Sequence, residues 1–129
     1  MLYYDQAPEP REESAVRIVR EPIRVAALAA MAPRMFGDLV KAVVDVDRGV
    51  MAIDGELHAD EEAMLLADGS RQAALWGINL RPGSFGSPEL VEFDSMINLR
   101  PGAGNRSRGV DDPALRDRVI AVVARLVTE

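Results

Sequence analysis

His58 is the chain's only histidine, and it stands in the run Gly55-Glu56-Leu57-His58-Ala59-Asp60-Glu61-Glu62. A histidine among carboxylates can move protons, and with Glu56 and Asp60 it could help ligate a divalent metal. The spacing fits no established metal motif, so no metal and no other cofactor is expected. Capping and packing at a helix start is the plainer role.

A second polar set lies downstream. Period-two alternation over 90–100 would place Glu92, Asp94, Met96, Asn98 and Arg100 on one strand face, with Asn79 and Arg81 beside them. Such a face either pairs its own charges across strands or recognises a polar ligand. Glu92 and Asp94 join His58 as candidate catalytic groups.

The third set is the loop 101–112, Pro-Gly-Ala-Gly-Asn-Arg-Ser-Arg-Gly-Val-Asp-Asp. Its three glycines let backbone N–H groups turn toward an anion. Arg106 and Arg108 could fork onto a phosphate or carboxylate. Asn98, Arg100, Asn105, Arg106, Ser107 and Arg108 are therefore the expected ligand-binding residues. Asp111 and Asp112 offer those arginines an internal partner instead, and the loop lacks the spacing of any known phosphate loop.

These residues need a scaffold. Residues 16–20 alternate apolar and basic and read as a strand. Residues 23–32 are alanine-rich and helical, with Pro22 at the entrance and Pro33 at the exit. Residues 39–47 and 50–57 read as a hairpin turning at Arg48–Gly49, which pairs Val46 with Met51 and Val44 with Ile53. A helix over 59–68 opens on acids that suit its dipole. Strands are expected over 74–81 and 90–100. Asn79 or Arg81 then opposes Glu92, and Trp76 falls in the core. A helix from Pro113 to about 127 is capped by Asp112, with Leu115, Val119, Val122, Val123 and Leu126 as its apolar stripe.

The order β-α-β-β-α-β-β-α indicates an α+β fold, a mainly antiparallel sheet with helices on one face. A crossover through 58–73 would put His58 and Arg106 at opposite ends of the sheet, so one composite active site is not expected. Residues 1–14 are expected to be a tail or extension, too polar for a signal peptide, and 15–129 a single domain.

Composition sets outer bounds. In 129 residues there are no cysteines, which excludes zinc-thiolate sites, disulfides and thiol catalysis. No apolar run approaches the ~18 residues of a membrane span. A soluble, cytoplasmic protein is expected. The net charge of −6 disfavours nucleic acid. Residues 37–68 carry −7 and residues 95–129 carry +2, so the two regions could neutralise each other within a chain or across a homo-oligomer.

The runs FGDLVKAVVDVDRGVMAIDGELHADEEAMLL (36–66), LWGINL (75–80), EFDSMINLRP (92–101) and GNRSRGVDD (104–112) closely resemble a family of small prokaryotic proteins of unknown function, the domain of unknown function 5674 family. The resemblance covers about 16–128 and implies the same small domain. It brings no activity and no catalytic residues with it.

The expected function is that of a binding or interaction module. Its arginine loop and polar strand face would meet an anionic small molecule or a second subunit. The alternatives are an enzyme acting on a phosphorylated or carboxylated small molecule, and a structural homo-oligomer without a ligand.

Overall fold

The computed structural model describes residues 15–129, so the expected tail 1–14 lies outside the described residues. In chain order the elements are β1 (Arg17–Val19), β2 (Ile23–Arg24), α1 (Val25–Met31), β3 (Val40–Asp45), β4 (Val50–Ile53), α2 (His58–Ala67), β5 (Leu75–Leu80), β6 (Val91–Glu92), α3 (Pro113–Leu126) and β7 (Val127–Thr128). The main sheet has the order β1-β4-β3-β5-β6, with every pair antiparallel, and β2 and β7 form a short parallel pair. The fold is α+β. Because β3 lies between β4 and β5, those two strands run in the same direction, and α2 makes the expected crossover.

Alternation along the strands builds two cores. Ala42, Val44, Met51, Ile53, Trp76, Ile78 and Leu80 point to one face, where Leu28 of α1 and Val119, Val122, Val123 and Leu126 of α3 cover them. Burying each of the α3 side chains contributes about 1.5–3 kcal/mol. Val43, Val50, Ala52 and Leu75 point to the other face, against Leu65 of α2 and Ile97. The expected helical cover of one face is thus supplied by α1 and α3. The crossover brings α2 to the second face, because strands that are apolar on both sides must be covered on both.

The first hairpin keeps the expected faces but shifts its register by two residues. Val44 pairs with Met51 and Asp45 with Val50, which leaves a four-residue turn over 46–49. The cause is Asp45. Its fully buried carboxylate accepts the backbone N–H groups of Asp47 (2.9 Å) and Arg48 (2.8 Å), so the turn closes one step early. Gly49, at φ +69°, takes the left-handed position that returns the chain to β4.

The expected strand over 90–100 also changes. Asn79 does oppose Glu92, but pairing ends there. Residues 93–99 turn back over the sheet, with a 3-10 turn at Met96–Asn98 capped by the Ser95 hydroxyl. Gly77 admits this path: a Cβ there would stand only 2.5 Å from the Ser95 Oγ. The alternating polar face expected beyond Glu92 therefore does not form. At the other end of the chain, Pro22 does not open α1, since β2 intervenes. Pro33 does end it, within a 3-10 turn at Ala32–Arg34.

Candidate functional site

Where β6 stops, the outer edge of β5 would be left with unpaired backbone groups, each costly when buried. Two side chains from the 93–100 segment close that edge. The fully buried Asn98 amide accepts from the Gly77 N–H (2.8 Å) and donates to the Gly77 carbonyl (2.9 Å), as a strand partner would. Its Nδ2 also donates to the Arg108 carbonyl. One register step along, the Arg100 guanidinium donates to the carbonyls of Leu75, Gln72 and Ile97. Asn98 and Arg100 were expected on an open ligand-binding face. Instead they stitch the sheet edge.

Arg100 then sits over Trp76, its Cζ 4.3 Å from the ring centroid. Burial pulls the Arg100 pKa below the usual arginine value, with Glu62 acting in opposition. Beside this stack a cleft of about 440 Å³ opens between β5 and the start of α3. Gln72, Trp76, Arg100, Asn105, Asp112 and Leu115 are among its walls. A second cleft of about 380 Å³ continues it over the same Trp76 and Leu115 toward Asp47, Arg71 and Arg118. Trp76 is the chain's only tryptophan. It is 6% exposed, and its indole N–H is buried without an acceptor.

The charges around this groove are unequally occupied. Asp111 is spent on the loop, where its carboxylate takes the Ser107 hydroxyl and the Arg106 backbone N–H. These bonds hold its pKa below the usual carboxylate range. Asp112 caps α3 through the Ala114 N–H. Asp47 is shared by Arg71 (2.7 Å) and Arg118 (3.2 Å), which together lower its pKa. Two well-exposed guanidiniums thus converge on a single carboxylate, leaving outward N–H donors on both.

The arginine loop is a structural knot. Asn105 is buried and donates to the carbonyls of Asn98, Ser107 and Gly109, while its Oδ1 accepts from the Asp111 N–H. Arg108 is held by Asp94 (2.6 Å). Arg106 is exposed and has no ionic partner among the described residues. Of the six expected ligand-binding residues, Arg100 and Asn105 line the groove, whereas Asn98, Arg106, Ser107 and Arg108 are absent from its walls. Arg71, Trp76 and Arg118 were not expected there. The signal that could have flagged Trp76 was an indole N–H in a strand, which must find an acceptor when buried.

The histidine cluster lies on the opposite face of the sheet, at the start of α2. His58 is buried, with Nε2 2.7 Å from the Ile78 carbonyl. Desolvation lowers its pKa, so it is neutral at pH 7. Its charged neighbours are Lys41, Asp94 and Arg108. Glu92 is engaged by Asn79 and Arg81. His58 and Asp94 thus share a neighbourhood, and the Trp76 groove is separate. Glu56 and Asp60 are exposed, and among the described residues no group of three His, Asp or Glu side chains is placed to hold a metal.

The acidic middle and the basic C-terminal third meet inside the chain, through Arg118–Asp47 and Arg125 on the Gly49 carbonyl. Arg20 and Arg48 together hold Asp68 down to about 2. Among the described residues no helix is long and apolar enough to cross a membrane.

A family model described as a protein of unknown function (DUF5674) matches residues 17–126. No curated protein and no solved structure matches the chain.

Proposed function

The chain belongs to that family, and from its own residues we propose that it is a small-molecule binding module whose ligand lies in the groove over Trp76. The observation that carries this reading is the pair of adjoining clefts sharing a tryptophan whose buried N–H lacks an acceptor. Their volumes fall within the ~300–1,000 Å³ of ordinary ligand pockets. The ligand is small and carries a carboxylate or phosphate. Its anionic end meets the outward donors of Arg71 and Arg118, and its body lies along Trp76 and Leu115. The expected arginine loop contributes a wall, through Asn105, and the anion clamp moves to Arg71 and Arg118.

A titration with inorganic phosphate, succinate and AMP, followed by thermal unfolding, tests this. Ligand binding to the folded state raises Tm in proportion to ln(1 + [L]/Kd). At least one of these anions is expected to give a saturable rise. The apparent Kd should weaken by about tenfold or more in the Arg71→Ala/Arg118→Ala double variant, since charge-assisted hydrogen bonds contribute about 1.5–3 kcal/mol. No rise with any anion, or an equal rise in the double variant, would overturn the proposal.

A second reading, an enzyme acting on a phosphorylated or carboxylated small molecule, draws on His58. Its neutral imidazole, oriented by a backbone carbonyl with Asp94 and Arg108 nearby, suits a general base. The groove lies on the other face, so a reaction at His58 would need its own substrate pocket.

A further inference from the structure

Glu61 is one of the acids expected to open α2, and it is one of the most deeply buried side chains among the described residues. Its Oε2 accepts the Gly55 N–H (2.8 Å), and its Oε1 has no partner. The fit is tight: a Cβ on Gly55 would stand 2.8 Å from the Glu61 Cγ and 2.9 Å from a Val16 methyl. Just before Gly55, Asp54 takes φ +68°, the one left-handed non-glycine residue among those described. A left-handed backbone at a residue that carries a side chain persists only where the surroundings impose it. Here the surroundings are Arg34, which holds Asp54 from the turn after α1, and Glu61, which holds Gly55 from α2.

The charged and titratable groups facing Glu61 are Lys41 from β3, Asp54 just after β4 and Asp60 from its own helix, while the apolar Val16 just before β1 packs beside it. Lys41 is turned away, its Nζ 4.9 Å from the centre of the Phe36 ring. Between Lys41, Phe36, Met31, Met35, Asp54 and Gly55 lies a crevice too tight to admit a water molecule. Fully buried and with one oxygen unpaired, the Glu61 carboxyl is strongly disfavoured as a carboxylate.

We propose that Glu61 is a proton-operated latch. With its proton on, the 54–57 corner stays shut against β3 and the Phe36 segment. With its proton off, the corner opens, and Lys41 leaves the Phe36 ring to meet the carboxylate. This latch stands independently of the Trp76 groove, which lies on the other face.

Burial raises the Glu61 pKa well above its ordinary 4.5. Below 4.5, folded and unfolded chains both hold the proton. Between 4.5 and the raised value, only the folded chain holds it, so stability falls as pH rises across that window.

Amide exchange of Gly55 tests the latch in the full-length protein, corrected for the intrinsic base-catalysed rate. Gly55 protection is expected to fall by roughly tenfold per pH unit between 4.5 and the Glu61 midpoint, the slope of one linked proton, and to level off above it. In Glu61→Gln, which keeps the shape and the acceptor oxygen, protection should not vary with pH. Equal pH dependence in both proteins would overturn the proposal. Should the variant fail to fold, the side-chain carboxyl resonance of wild-type Glu61 decides. A midpoint raised well above 4.5 supports the latch, and an ordinary midpoint near 4.5 removes it.

Discussion

Replacing Asn98 with alanine is expected to destabilise the protein by about 3–5 kcal/mol, measured by urea unfolding. The substitution strips the amide from both backbone groups of Gly77 and from the Arg108 carbonyl. Each buried backbone group left unpaired costs about 1–3 kcal/mol, and the vacated space adds to that. Aspartate at the same position should do little better. It can accept from the Gly77 N–H but cannot donate to either carbonyl, and it places a charge where nothing is exposed. A loss below about 1 kcal/mol for Asn98→Ala would show that the 93–99 segment is held by its apolar contacts, chiefly Ile97, instead of by this amide.

Arg100→Ala is expected to cost about 2–4 kcal/mol, since it removes three hydrogen bonds to backbone carbonyls and the stacked cation. It should also change the light the protein emits. Trp76 is the only tryptophan, so its fluorescence reports the groove alone, and uncovering the ring should shift emission to the red. Arg100→Lys separates charge from geometry. A lysine ammonium cannot span three carbonyls that a planar fork reaches together, so it should restore less than half of the lost stability. Full restoration by lysine would mean that charge alone matters at this position. A reduction in anion affinity in Arg100→Ala, at temperatures where the variant is folded, would follow from disorder of the groove wall.

Both effects arise from one feature of the chain: a strand that the alternation pattern extends to residue 100 ends at Glu92. The pattern gave the right faces, though not the register, for residues 40–53, where apolar positions on both faces left little choice of layer, and it held for α3, where the cap at Asp112 and the stripe from Val119 to Leu126 agree. It failed after Glu92 because the same alternation serves a segment that folds back as a 3-10 turn. The deciding fact is a missing side chain at Gly77, which no alternation pattern marks. The hexapeptide Ile-Asn-Leu-Arg-Pro-Gly occurs at 78–83 and again at 97–102, yet the two copies behave differently. In the first, Asn79 and Arg81 reach sideways to Glu92. In the second, Asn98 and Arg100 turn inward to the backbone of β5. Context sets which, because only the second copy faces an unpaired edge.

The site was legible to the same degree. His58, Asp94, Arg100 and Asn105 were identifiable from residue type and spacing, and each does sit in a polar neighbourhood. The groove itself was not, since it forms where β5, the turn before it and α3 meet, and no local pattern records that meeting. Asp111 was readable as a rival for the loop's anion-binding groups. The structure sharpens this: Asp111 takes the Arg106 backbone and the Ser107 hydroxyl, while Asp94 takes the Arg108 side chain. Glu61 was legible as a first-turn acid of α2 but not as a buried one. Acids in a first helical turn ordinarily face water, and only the tertiary wrap of residues 54–57 turns this one inward.

The groove can be interrogated through a single atom. In a ¹⁵N-labelled sample the Trp76 indole N–H gives one resonance, and it belongs to a buried donor without an acceptor on a side chain that lines the groove. Adding inorganic phosphate, succinate or AMP should move that resonance saturably, with the midpoint of the thermal titration. An indole signal that stays fixed while any of these anions binds elsewhere, at the 104–109 loop or beside His58, would contradict the assignment of the groove as the ligand site.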